Sequence, residues 1–333
     1  QIAIVTLTRP AKRNALNDGL ILALRDTFQN LPQSVKAAVI DGEGEHFCAG
    51  LDLSELSERD AADGVFHSRM WHAALECVEK GTVPVIAALH GAVVGGGLEL
   101  ASACHIRVAD ESTFYALPEG TRGIFVGGGG AVRIPKLIGA ARMTDMMLTG
   151  RVYNAQEGER AGFAQYLVPA GTAFDKALAL AERVAQNAPL TNYALTHALP
   201  RIAEQPGDHG YLTEALMAAI AQSAPEAKER VKAFLDGRGR LCYAARHERA
   251  TAFGPARGPG LARTGAGRRP AAGRRKVDGE NHGAVMSGIG GRGSGVGDRS
   301  LPGKLGLPFL EKRRRSLHFV LRAVAQRLRK RFN

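Results

Sequence analysis

Short apolar runs rich in β-branched residues alternate with amphipathic stretches through the first half of the chain. Ile2 to Leu7, Val35 to Ile40 and Val83 to Leu89 are each bounded by turn residues, the pattern of strands covered on both faces of a sheet. Leu20, Leu24, Phe28 and Leu31 share one helical face, and Met70, Trp71, Ala74, Leu75 and Val78 share another. Helices between such strands predict crossovers in a parallel sheet, and so an α/β fold. From Gly127 to Asp236 the periodicity is helical throughout. Within it, Asn154 with Glu157 predicts a helix N-cap, and Phe174, Ala177, Leu178, Ala181 and Val184 recur at intervals of three and four.

Near Arg238 this patterning is lost. Residues 238–333 hold 17 glycines, and the stretch 238–300 has few large apolar side chains, too little buried surface to offset the entropy of ordering it. Phe309 to Phe332 restores a stripe (Leu317, Val320, Leu321, Val324, Leu328) opposite many arginines. That stripe predicts a basic helix of the kind that lies on an anionic membrane or binds nucleic acid. The plainer reading of 238–333 is a basic Gly/Arg-rich tail, disordered or read through, whose composition resembles GC-rich DNA translated out of frame.

Charge supports that division. The net +12 of the chain is −6 over residues 1–237 and +18 over 238–333, so the basic character belongs to the tail. A nucleic-acid footprint is not a property of the preceding region. Cys48, Cys77, Cys104 and Cys242 show no CxxC pairing and no histidines at zinc-finger spacing, so neither a metal site nor a disulfide framework is expected. The chain has no run of 18 apolar residues and does not open on a signal peptide, which predicts a reducing, cytoplasmic setting.

The candidate chemistry lies in two glycine-flanked motifs, HFCAGLD (His46 to Asp52) and GAVVGGGLE (Gly91 to Glu99). Each glycine turn frees a backbone N–H that no side chain shields. Two such groups converging on one point form a hole for a carbonyl oxygen gaining negative charge. In the second motif the strand Val83 to Leu89 feeds the turn and a helix follows, so the Gly96 N–H sits at the positive end of the helix dipole. Glu99 lies just inside that helix, and Glu119 follows Pro118 in LPEG. Two carboxylates can hold one water between them and act on it as acid and base. The competing readings are a first-turn glutamate that complements the dipole and a solvated loop glutamate after a proline.

With RPAKRNAL (Arg9 to Leu16), LPEG (Leu117 to Gly120), LIGAARMTDMMLTGR (Leu137 to Arg151) and AGFAQYLVP (Ala161 to Pro169), these motifs resemble the crotonase (enoyl-CoA hydratase/isomerase) family in order and spacing. The resemblance runs from Gln1 to about Arg238. It implies a crotonase-type twisted sheet core with crossover helices over 1–170, binding acyl-CoA, followed by a C-terminal helical trimerisation region over 171–237. Members usually begin with one more strand, so a strand ahead of Gln1 is expected.

The resemblance also implies hydration of a 2-enoyl-CoA, with the Leu51 and Gly96 N–H groups as oxyanion hole and Glu99 and Glu119 as catalytic carboxylates. Isomerases of the family commonly keep the later glutamate and replace the earlier one. Double-bond isomerisation, hydroxycinnamoyl-CoA hydratase-lyase cleavage and RNA binding through the basic tail are the alternatives. Lys12, Arg13, Leu51, Asp52, Leu53 and Ser54 fall where the family binds coenzyme A, although solvated surface is the competing reading of the basic pair. Ser54 departs from a lysine common in the family, and IFVGGGG (Ile124 to Gly130) lacks the proline that hydratases commonly carry before these glycines. Phe66, Met70 and Trp71 occupy the helix that borders the acyl pocket, where helical spacing equally makes Met70 and Trp71 core residues. Coenzyme A enters as part of the substrate, and no metal or other cofactor is expected. The implied assembly is a homotrimer or a dimer of trimers, with nucleic acid or membrane as partners of the tail alone.

Overall fold

A computed structural model describes residues 1–55, 60–238 and 317–321. In chain order the core comprises β1 (Ile2–Leu7), α1 (Asp18–Gln29), β2 (Ala37–Gly42), α2 (Ala61–Glu79), β3 (Val85–Leu89), β4 (Ala92–Val94) and α3 (Gly96–Ala103). It continues through β5 (Ile106–Asp110), β6 (Phe114–Ala116), α4 (Gly130–Ile138), α5 (Ala140–Thr149), β7 (Tyr153–Asn154), α6 (Ala155–Ala161), β8 (Tyr166–Val168) and α7 (Ala173–Val184). Helices α8 (Pro189–Tyr193), α9 (Leu199–Ala203), α10 (Gly207–Ser223) and α11 (Pro225–Leu235) follow, and β9 (Leu317–Leu321) returns from the tail.

The main sheet has the order β8-β5-β3-β2-β1-β9 and is parallel throughout. Its two faces separate by the two-residue period of a strand. Ala3, Val5, Leu7, Ala38, Ile40, Val85, Ala87 and Leu89 pack on one side with Leu20, Leu24 and Phe28 of α1 and Trp71, Leu75 and Val78 of α2. Ile2, Ala37, Val39, Ile86, Ala88 and Val108 pack on the other against Ala177, Leu178 and Ala181 of α7. This two-sided burial is why the strands are nearly continuous apolar runs. The predicted stripe of α7 thus covers the second face of the sheet.

The N-cap expected at Asn154 is a full capping box: Asn154 Oδ1 accepts from the Glu157 N–H, and the Glu157 side chain accepts from the Asn154 N–H. Other expectations are corrected. The stretch Gly127 to Asp236 is not helical throughout, because β7 and β8 interrupt it; strands of two and three residues are too short to show a period. The glycine turn is fed not by β3 but by β4, which pairs with β6 in a second, three-stranded sheet, β4-β6-β7. Leu317–Leu321, expected within a basic helix, is a strand paired in parallel with β1. A five-residue segment with four apolar members suits either period, and an open edge of β1 supplies the hydrogen-bonding partners that decide it. The remainder of Phe309 to Phe332, and the tail from residue 239 to 316, lie outside the described residues.

Candidate active site

The two glycine turns lie side by side. Cys48 N–H donates to Ala92 O at 2.9 Å and Val94 N–H to Cys48 O at 3.1 Å, pairing the HFCAGLD loop with β4. On its other side that loop is tied to the first loop of the chain by Leu16 N–H to Gly50 O (2.7 Å) and Asp52 N–H to Leu16 O (2.8 Å). Two glycines make this approach feasible. Gly95 turns at φ +53°, and a Cβ on Gly97 would lie 2.8 Å from Cys48 Cβ.

These contacts bring the predicted oxyanion donors together. Gly96 begins α3, and a Cβ placed on it would lie 3.5 Å from Leu51 N, so both N–H groups border one small space. Neither N–H has an acceptor among the described residues. Trp71 closes the same space, its Cζ3 at 3.3 Å from that Cβ position, and is held by its own Nε1–H to Asp18 Oδ1 at 3.2 Å. His67 Nε2 bonds the same carboxylate at 2.7 Å.

Glu99 lies one turn into α3 and is buried. Its Oε1 accepts from two backbone donors, Gly128 N–H and Gly130 N–H, each at 2.8 Å. Burial pushes its carboxyl pKa up. The Gly130 and Gly128 bonds, followed by the charges of Arg133 and His72, oppose that rise by favouring the ionised form. Glu119 is buried, its Oε1 2.7 Å from where a Gly95 Cβ would stand, and so abuts the turn that leads into α3. Its Oε2 is buried with no hydrogen-bond partner among the described residues. Burial, with the nearby Glu99 adding to it, pushes its pKa up to about 7. Burial thus raises both carboxyls, and what distinguishes them is geometry: Glu99 Oε1 is gripped by two backbone N–H groups, whereas Glu119 Oε2 has no partner among the described residues.

The clamp on Glu99 was not foreseen. The Ile124 to Gly130 segment departs from the family pattern by lacking a proline, and yet its glycines supply both N–H bonds to the carboxylate. The sequence signal was the glycine run itself, whose target lies 29 and 31 residues upstream. Arg9 was likewise unassigned. It donates from Nη1 to Ala15 O (2.6 Å) and from Nη2 to Asp52 Oδ2 (2.8 Å), bracing the two loops against each other.

The proposed coenzyme A residues divide accordingly. Asp52 is buried, and its carboxylate is engaged by Ser54 (2.6 Å from Oγ to Oδ1) and Arg9, which lower its pKa to about 2. It braces the loop, and its side chain is not presented to a ligand. Lys12, Arg13, Leu53 and Ser54 are exposed around it, with Lys12 Nζ 3.5 Å from Ser54 Oγ and 3.9 Å from Asp52 Oδ1. Of the acyl-pocket candidates, Trp71 borders the space beside the Leu51 and Gly96 N–H groups, Met70 is half-buried against the core, and Phe66 is 72% exposed.

Comparison with known proteins identifies the scaffold. Residues 1–240 match the Enoyl-CoA hydratase/isomerase family, and the chain belongs to it. The 2,3-dehydroadipyl-CoA hydratase of Escherichia coli K12 is 34% identical over 242 residues, which are 72% of this chain and 93% of that protein. The carnitinyl-CoA dehydratase of Proteus mirabilis is 36% identical over 210 residues, covering 62% and 80%. Among solved structures, one from Rhodopseudomonas palustris CGA009 is 62% identical with a TM-score of 0.69, covering 71% of this chain and 92% of that one. An enoyl-CoA hydratase from Bacillus anthracis is 31% identical with a TM-score of 0.66, covering 71% and 94%. The chain is therefore a member of the crotonase (enoyl-CoA hydratase/isomerase) family. No helix among the described residues is long and apolar enough to cross a membrane.

Proposed function

We propose that the chain adds water across the double bond of a 2-enoyl-CoA thioester. The observation that carries this reading is the pairing of two buried glutamates, Glu99 and Glu119, beside two unengaged N–H groups. The thioester oxygen accepts from Leu51 and Gly96 N–H, which withdraws charge and makes Cβ electrophilic. Glu99, in its ionised form and with Oε1 fixed by the Gly128 and Gly130 N–H groups, takes a proton from water as the water oxygen bonds to Cβ. Glu119, neutral at its raised pKa, gives its proton to Cα, so H and OH are added together. A proton passed from Glu99 back to Glu119 resets the site. Both glutamates at one site favour hydration over double-bond shift, which needs a single base.

In this reading coenzyme A belongs to the substrate, and its path runs by exposed Lys12, Arg13, Leu53 and Ser54 and the Leu51 backbone. The relatives that act on 2,3-dehydroadipyl-CoA and carnitinyl-CoA support a CoA thioester as the substrate class. A homotrimer or dimer of trimers is the assembly proposed. Exposed Tyr211, Leu212, Leu216 and Ile220 of α10 and Val231 and Phe234 of α11 support it, since such a row is costly to leave in water. The test is a panel of 2-enoyl-CoA and 3-enoyl-CoA thioesters, following enoyl absorbance and identifying products by mass. Gain of one water on the 2-enoyl substrates is expected. Isomerised or cleaved products without hydration would contradict the reading.

A further inference from the structure

We propose that Arg133 is a positioning residue for Glu99, its guanidinium fixing both the glycine segment that grips the carboxylate and the helical turn that carries it. The inference rests on Glu99 being a reacting carboxylate. Arg133 stands in α4 with its side chain 9% exposed. Nη2–H donates to Gly128 O at 2.5 Å, and Nε–H donates to Ser102 Oγ at 3.3 Å. Ser102 Oγ in turn donates to the Glu99 carbonyl oxygen at 2.7 Å. Gly128 is therefore held at both of its backbone groups, the N–H on Glu99 Oε1 and the C=O on Arg133. The third arm, Nη1, faces Glu79 Oε2 at 3.4 Å, which fixes the guanidinium plane from α2.

This geometry uses what distinguishes arginine from lysine. A rigid planar fork reaches three acceptors on three elements at once, and a flexible point charge satisfies fewer of them. The stacking is close: Gly129, at φ +93°, leaves room for the guanidinium where a Cβ would stand 2.8 Å from Nη1. The charges facing Glu99 are Arg133 from α4, His72 from α2 and Glu119 from the turn after Pro118. Loss of the Arg133 cation makes Glu99 hold its proton more tightly, which moves the acidic limb of hydration to higher pH. A cavity of about 950 Å³, whose lining includes Arg133, Glu79, Ser102 and Gly129 and not Glu99, gives small cations a route to this position.

The test uses the full chain carrying Arg133→Gln, Arg133→Lys or Arg133→Ala, with Glu99→Gln as reference. Misplacing a reacting group by about 1 Å costs ~10²-fold, so Arg133→Gln should lower kcat by that order with KM within about three-fold. Its acidic limb should move to higher pH. Arg133→Lys should lie between it and the parent, and millimolar methylguanidinium should restore part of the kcat of Arg133→Ala. A folded Arg133→Gln with parental kcat and pH profile would overturn the inference, as would activity lost only in proportion to unfolded protein. Should the Gln and Ala variants not fold, Arg133→Lys decides: full kcat and an unmoved limb overturn the proposal, and a depressed kcat at parental KM sustains it. If Glu99→Gln itself keeps full activity, the underlying reading fails. If Glu99→Gln is inactive while Arg133→Gln keeps the parental kcat and pH profile, only this inference fails.

Discussion

Replacing Gly96 by alanine isolates the proposed oxyanion hole from the rest of the fold. Gly96 has helical backbone geometry, so alanine imposes no strained φ there and gains up to about 1 kcal/mol in helix propensity. The added methyl meets Trp71 Cζ3 at 3.3 Å, Leu51 N at 3.5 Å and Leu16 Cδ1 at 3.6 Å, tight only against Trp71. Stability should change by no more than about 1 kcal/mol, a Tm shift of roughly 2–4 °C for a domain of this size. The same methyl, however, occupies the space between the two N–H groups that the thioester oxygen needs. Losing one oxyanion donor costs about 2.7–4 kcal/mol of transition-state stabilisation, or ~10²–10³ in kcat. Steady-state hydration of crotonyl-CoA measures that loss, thermal unfolding measures the fold, and competitive inhibition by free coenzyme A reports nucleotide binding, which should not change. A folded Gly96→Ala variant with kcat within about three-fold of the parent would refute this placement of the hole.

Hydration kcat/KM should hold up to about pH 7 and fall tenfold per unit above it, because Glu119, raised to about 7, must keep its proton to act as the acid; an unaltered descending limb in Glu119→Gln would assign it elsewhere. The sign for stability follows from the same shift: the folded state binds this proton more tightly than the unfolded chain, so the contribution is full below the unfolded pKa and Tm should decline as pH rises from about 4.5 through 7, less so in Glu119→Gln. Gly130→Ala places a Cβ 2.7 Å from Glu99 Cγ, and should lower both Tm and kcat, since neither the buried glutamate nor its clamp has room to yield. Cutting the chain after Gly237 removes β9 and bares the edge of β1, so increased self-association in light scattering is expected, with kcat per folded site retained; parental behaviour in scattering would show that β9 does not cover that edge.

What was legible in the sequence follows the range of the interaction. β1 spans the run read from its apolar pattern, and the capping box at Asn154 is readable because both partners lie within one turn. The motifs that carry the two unengaged N–H groups and the two buried glutamates were legible, each a local turn with its own composition. The clamp on Glu99 joins residues about 30 apart, the Arg9–Asp52 brace joins residues 43 apart, and no local signal couples them. Nothing in the sequence near Asp52 therefore signals that its carboxylate is engaged internally by Arg9 and Ser54. The short strands β4, β7 and β8 escaped because two or three residues carry no period, and Leu317–Leu321 was misread because its partner, β1, lies at the other end of the chain.

The central claim is that Glu99 and Glu119 act together on one water, and the most direct measurement is hydration of a 2-enoyl-CoA by Glu99→Gln, Glu119→Gln and the double variant. Each substitution keeps the size of the side chain and removes a general acid or base worth ~10²–10⁴ in rate. Residues that act as a unit are not additive, so each single variant should fall by that order and the double variant little further. A folded Glu99→Gln that hydrates at near the parental rate, with Glu119→Gln inactive, would contradict the claim and leave a single-base enzyme in its place.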